Sequence, residues 1–402
     1  MELTTLSLSL PIGAILVITM LCATLISTRS TFYREFLAVE ASRSRHHAID
    51  GLRGFLALAV SFSHLVVNHQ FYATGKWQAT PSSLATFLGS GGVAFFFMIT
   101  AFLFWNRIAY NNTAFDAIKF LRSRVRRLVP MYLVASSLVV VTVIALTHFK
   151  LNVEPIVLAK QISSWILFTA PGNPDINDFD RTYIVNGVFW TLVYEWKFYI
   201  SLPLLAVFMR SKFRLLAALI ICACIFLYAY PPVEWLFVAG AAASAMVRIR
   251  FIRSIASQAW FAIPMIATVV VAIRVTPQPY TVTGAAILFV PFLAIASGNT
   301  IFGLLTLRAA RFVGSISYSF YLLHSWVLYL VYRAVGHFTD VAALSAIEYW
   351  IVGLIVILAS VSLSSITFRV VEIRFMSPST QKNMSLSMAA EQKNHALTGT
   401  GK

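Results

Sequence analysis

Eleven times between residues 8 and 368 the chain runs for 15–22 residues with almost no charge. An α-helix needs about 20 such residues to cross a bilayer. The runs lie at about 8–28, 51–69, 88–106, 129–148, 188–208, 215–230, 233–247, 257–274, 281–297, 313–334 and 348–368. Inside hydrocarbon every backbone N–H and C=O must find its partner within the protein, and helices are the structures that do this segment by segment. The expectation is an all-α integral membrane protein, a polytopic bundle of about 11 transmembrane helices. Composition excludes a soluble globule: 59% of the 402 residues are hydrophobic and 11% charged, against roughly 45–50% and about 25% in soluble proteins. Its richness in aromatic and β-branched residues excludes a disordered chain. A twelfth stretch, Ile156 to Ala170, is short and carries Lys160 and Gln161, so it reads as re-entrant or interfacial.

Lys and Arg number 31 against 15 Asp and Glu, a net charge of +16. Cytoplasmic loops rich in Lys and Arg account for that excess, and no nucleic-acid partner is expected. With the N-terminus outside, the cytoplasmic gaps hold Arg29, Arg34, Arg43 and Arg45, then Arg107 and the group from Lys119 to Arg127. They continue with Arg210, Lys212 and Arg214, with Arg248, Arg250 and Arg253, and with Arg308 and Arg311. The C-terminus is then cytoplasmic, with Arg369, Arg374, Lys382, Lys393 and Lys402. The outer side keeps only Lys76, Lys150, Lys160, Arg181, Arg274 and Arg333. The expected location is the inner (cytoplasmic) membrane, multi-pass. The first run has no basic segment before it and Arg29 and Arg34 after it, which reads as an uncleaved anchor. Three divisions follow: 1–46, an extra anchor and cytoplasmic linker; 47–376, the membrane domain; and 377–402, a polar tail expected to be disordered. Cys22, Cys222 and Cys224 sit in apolar runs without pairing or metal-ligand spacing, so no metal site is expected.

Ionisable residues within a span mark function by default, the alternative being a snorkelling or interhelical contact. Arg53 and His64 are eleven residues apart, about three helical turns, and so share a face roughly 16 Å apart along the axis. His69 lies nearer the outer edge and reads as interfacial. In the fifth run Glu195 and Tyr199 share a face, while Lys197 points away. Glu195 is expected near the depth of His64, where a carboxylate would orient the imidazole. The tenth run carries His324 near mid-membrane, after Ser317, Tyr318 and Tyr321. The segment from Ser123 to Pro130 reads as a basic loop, with Pro130 in the first turn of the fourth helix and Arg124 and Arg127 on its approach. Its plain reading is positive-inside charge; turned inward, its arginines would hold phosphates.

These segments resemble a known family. GLRGFLALAVSFSHL carries an Arg-x10-His pattern from Arg53 to His64, GGVAFFFMITAFLF resembles a G-x-FFFxxSGF segment, and RVRRLVP carries RxxR before proline. FWTLVYEWKFY, VGSISYSFYLLH and RVVEIRF resemble, in order, the W-x-L-x-x-E-x-x-FY, G-x-x-SYxxYLxH and terminal E-x-P segments. From about residue 47 to 376 the chain is similar to the acyltransferase-3 family, bacterial membrane-bound O-acyltransferases that modify surface sugars and antibiotic glycosides. Two positions depart from the pattern: Thr100-Ala101 stands for Ser-Gly, and Arg374 for the proline.

The resemblance implies transfer of an acyl group, expected to be acetyl, from acyl-coenzyme A to a hydroxyl of a surface carbohydrate or glycolipid. His64 would be the general base with Arg53 its family partner, Glu195 would orient His64 or the acceptor, and Arg124 and Arg127 together with Arg53 would hold the donor's phosphates. Thr100, Trp190, Tyr199, Tyr318, Tyr321 and His324 are the expected substrate contacts, with Thr100, Tyr199 or Tyr321 near the oxyanion. No permanently bound cofactor is expected, and the oligomeric state stays open. The alternative from another class is a transporter or flippase for a glycan or amphiphile, which also needs buried charges and broken helices.

Overall fold

The computed structural model describes residues 5–42, 46–110, 115–210, 214–228 and 232–376. The tail at 377–402, together with Arg43, Arg45 and Lys212, lies outside them. In chain order the helices are α1 (Thr5–Arg29), α2 (Thr31–Ala41), α3 (His47–Thr74), α4 (Ser83–Tyr110), α5 (Ala117–Leu146), α6 (Pro155–Ile166), α7 (Trp190–Arg210) and α8 (Arg214–Tyr228). They continue with α9 (Glu234–Met246), α10 (Arg250–Ala256), α11 (Ala262–Val275), α12 (Val282–Ala296), α13 (Arg308–Ser315), α14 (Ser317–Val335) and α15 (Ala346–Thr367). Among the described residues there is no strand.

Among the described residues every expected span coincides with helix, but five helices are long and apolar enough to cross a membrane by length and composition: α1, α3, α4, α5 and α15 with its continuation to Phe375. A sixth is reached if α9 and α10, bent by 107°, count as one broken span. The rest of the expected eleven are shorter, interrupted or, like the 21-residue α7 with its Glu195 and Lys197, less apolar. The run at 313–334 is broken at Ile316 (φ −91°, ψ 3°) into α13 and α14. That break leaves the first turn of α14, where backbone N–H groups have no carbonyl of their own helix to bond, inside the protein. The stretch from Ile156 becomes α6, which at about 1.5 Å per residue is too short to cross.

Helix α5 corrects the sequence reading. It begins at Ala117, capped by the Asp116 side chain accepting from the Lys119 N–H at 2.9 Å, so RVRRLVP is helix and Pro130 lies inside it. Ala, Lys, Leu and Arg are strong helix formers, and the cap adds enough to start the helix three turns before the apolar run. Arg124 and Arg127, three residues apart, therefore share one face. The linker before α3 is also structured. Amphipathic α2 buries Phe32, Tyr33, Phe36 and Leu37. Its Tyr33 hydroxyl donates to the Ser365 carbonyl at 2.5 Å, and its Phe36 ring meets Phe368 edge-on at 5.2 Å.

Helices α3, α4, α13 and α14 make the centre, and glycines set their spacing. A Cβ at Gly51 would overlap the Leu305 carbonyl, one at Gly314 the Asp50 carbonyl, and one at Gly54 would stand 2.5 Å from the Ala310 oxygen. In lipid, where helix association relies on close van der Waals contact, small residues at a crossing let backbones meet. Gly240 on α9 has the same role against Met98 and Ala101 of α4. The glycine that the family pattern places at 101 is thus absent, and the partner helix supplies the small residue instead. We expect Gly314→Val to abolish monodisperse protein in detergent size-exclusion runs, and Gly13→Ala, whose Cβ would meet nothing within 4 Å, to leave it unchanged.

Candidate active site

Two cavities open at opposite ends of the α3–α4 pair. The larger, about 1080 Å³, lies at the end formed by the start of α3, the end of α4 and the start of α5. Arg53, Arg107, Lys119, Arg122, Arg124, Arg126 and Arg127 line it, against Glu40, Asp50, Asp116 and Glu195. It runs inward past Thr100 and Tyr318 to Thr191 and Tyr321. The smaller, about 340 Å³, lies at the other end and holds His64, Trp77, Gln78, Trp190, Gln278 and Tyr280. Val93 and Tyr321 line both. Helix α7 starts at this junction, Trp190 facing the smaller cavity and Thr191 the larger.

His64 is held by another histidine. Its Nδ1 lies 2.9 Å from Nε2 of the fully buried His324, with the rings nearly parallel at 9° and 5.1 Å apart. His324 Nδ1 lies 3.1 Å from the Phe320 carbonyl. A carbonyl can only accept, so Nδ1 of His324 carries the proton and its Nε2 is an acceptor. His64 must then donate from Nδ1, which leaves Nε2 of His64 with its lone pair free for a substrate proton. Tyr321 is fixed at the junction by Thr191 Oγ1 at 2.9 Å and the Val188 carbonyl at 3.2 Å.

Glu195 is not the partner that holds His64. It accepts from the Tyr199 hydroxyl, one turn along α7, and lies under the positive charges of Arg124, Arg53 and Arg127 in the larger cavity. The Arg124 guanidinium lies 4.7 Å over the Phe104 ring and 6.0 Å over the Tyr199 ring. Sequence depth along two separate helices could not tell which of Glu195 and His324 meets His64, because helix rotation and tilt decide it. The phenol of Tyr199 is engaged with Glu195, and the Tyr318 hydroxyl donates to the Leu128 carbonyl at 2.8 Å. Lys197 is exposed, 4.9 Å over the Tyr194 ring.

One residue of the site was passed over in the sequence. Glu372, in a π-helical turn at Phe368–Glu372, has a side chain 0% exposed and pairs through Oε2 with Arg127 Nη1 at 2.6 Å. Its place in RVVEIRF was the available signal.

The family model of an acyltransferase domain matches residues 46–369, and the chain belongs to the acyltransferase-3 family. The family match makes this helical bundle, with its basic cavity at one end and its histidine pair beside the cavity at the other, an acyltransferase. No curated protein and no solved structure matches the chain. If the tautomer chain matters, His324→Ala lowers acyl transfer by about 10²-fold or more. His324→Gln, whose amide oxygen accepts from Nδ1, retains more activity than His324→Ala; equal losses in initial-rate assays would count against the chain.

Proposed function

We propose that the protein moves an acyl group, acetyl in the first instance, from acyl-coenzyme A to a hydroxyl of a surface carbohydrate or glycolipid. The observation that carries this is the meeting of two unlike cavities at Tyr321, with the free Nε2 of His64 on the side of the smaller one. The larger cavity has the charge and volume for a donor bearing several phosphates. Arginines suit phosphates because the guanidinium offers paired N–H donors, and Arg53, Arg124 and Arg127 are the ones nearest its deep end. The smaller cavity combines the flat rings of Trp77, Trp190 and Tyr280 with the amides of Gln78 and Gln278, a surface suited to a sugar ring and its hydroxyls. The positive-inside pattern supports a basic cavity facing the cytoplasm and an acceptor cavity facing outward, in the cytoplasmic membrane.

In the reaction the acceptor hydroxyl gives its proton to Nε2 of His64 as its oxygen attacks the thioester carbonyl. The imidazolium keeps its Nδ1–H bond to His324, which holds the ring and spreads the charge into a second imidazole. The tetrahedral intermediate collapses with loss of the coenzyme A sulfur, which takes the proton back from His64, so ester and free thiol leave and the enzyme is unchanged. Thr100, which faces the donor cavity near the junction, is able to support the oxyanion, whereas the Thr191 hydroxyl already donates to the Val188 carbonyl at 3.1 Å.

The test is thiol release and acyl transfer by detergent-purified protein with acetyl- and longer acyl-coenzyme A and extracted surface glycan. Wild type is expected to turn over, His64→Ala to lose on the order of 10²–10⁴-fold, and Arg124→Ala to recover at high donor concentration. Folded wild-type protein that releases no thiol from any donor would overturn the reading.

A further inference from the structure

We propose that Glu372 is a positioning residue that ties Arg127 of the donor cavity to α14, the helix carrying His324, the partner of His64. The inference rests on the acyl-coenzyme A reading above. Three contacts meet on this one carboxylate. Oε2 pairs with Arg127 Nη1 at 2.6 Å, while Oε1 accepts from the Ser319 backbone N–H at 3.2 Å and from the Ser319 hydroxyl. Arg127 is 19% exposed and lines the donor cavity, so its guanidinium has one side on Glu372 and the other toward the ligand.

Ser319 lies in the first turn of α14, where a backbone N–H has no carbonyl of its own helix to bond. A carboxylate there satisfies that N–H and sits favourably at the positive end of the helix. Two residues further on comes Tyr321, and five residues further on His324. The Tyr318 hydroxyl bonded to the Leu128 carbonyl ties α14 to α5 one residue beyond Arg127. The π-helical turn supplies the reach: its extra residue per turn directs Glu372 inward while Phe368 packs beneath α2. A shift of the Arg127–Glu372 pair therefore displaces the first turn of α14, and with it the acceptor on His324 that fixes His64.

Two functions on one side chain predict two separable kinetic effects, read on the full-length purified protein at saturating acceptor. Glu372→Gln raises the KM for acetyl-coenzyme A about tenfold, the loss of one oriented phosphate ligand. It also lowers kcat on the order of 10²-fold, as a small misplacement of catalytic groups does. In an Arg127→Gln background the KM effect of Glu372→Gln disappears and the kcat effect remains. Ser319→Ala lowers kcat and leaves the donor KM alone. Glu372→Asp, which keeps the charge but has a shorter reach, falls between wild type and Glu372→Gln in both parameters, and it carries the same comparisons if Glu372→Gln does not fold. Values of KM and kcat within about twofold of wild type in the folded variant would overturn the proposal, as would a KM rise undiminished in the Arg127→Gln background. Wild type without thiol release from any donor removes the acyl-coenzyme A reading and this coupling together; an active wild type with an unaffected Glu372 variant removes the coupling alone.

Discussion

The crossing of α3 over α13 sets the distance on which the rest of the site depends. Gly51, Gly54 and Gly314 let two backbones touch where any side chain would force them apart. Arg53 sits between the two α3 glycines and His64 three turns further along the same helix. A wider crossing would carry α3 away from α14, and the 2.9 Å contact between His64 and His324 would open. Packing in a bundle of this kind is close to crystalline in density, so the spacing cannot be made up by soft adjustment elsewhere.

Polar groups inside such a bundle are stable only in sets. Arg127 and Glu372 answer one another, Ser319 fills the second carboxylate oxygen, and Tyr199 and Arg124 stand against Glu195. Removing one member of a buried pair strands the other charge, at a cost of about 3–5 kcal/mol. Through Glu372 and Ser319 the Arg127 side chain of the larger cavity is connected to α14, the helix that carries His324. The interrupted helices serve the same end. The break at Ile316 and the start of α7 at Trp190 place helix N-termini in the interior, next to the groups the reaction uses.

Much of this was legible from residue order. Segments too apolar for water gave the helices, and the ionisable residues within them gave His64, Arg53, Glu195 and His324 as candidates, which the structure places along the two cavities or, for His324, in contact with His64. Motif order gave the family that the matched domain shows. The apolar run alone marks α5 about three turns short of its start and leaves its arginines on a loop, because the polar helix formers after the Asp116 cap carry no hydrophobic signal. Amphipathic α2 was taken for a linker because its apolar residues are few and flanked by charge, although their spacing suits one helix face.

By itself the sequence determined that the chain is helical and apolar, and which of its side chains are too polar for lipid without a purpose, because both follow from local composition and from the free energy of transfer. Only the tertiary structure decided which of those side chains meet. His64 bonds to His324 rather than Glu195, and Arg127 pairs with Glu372 across some 245 residues of chain. Such pairings depend on helix rotation, tilt and crossing distance, which are set by how whole surfaces fit together and by a few glycines at the contacts.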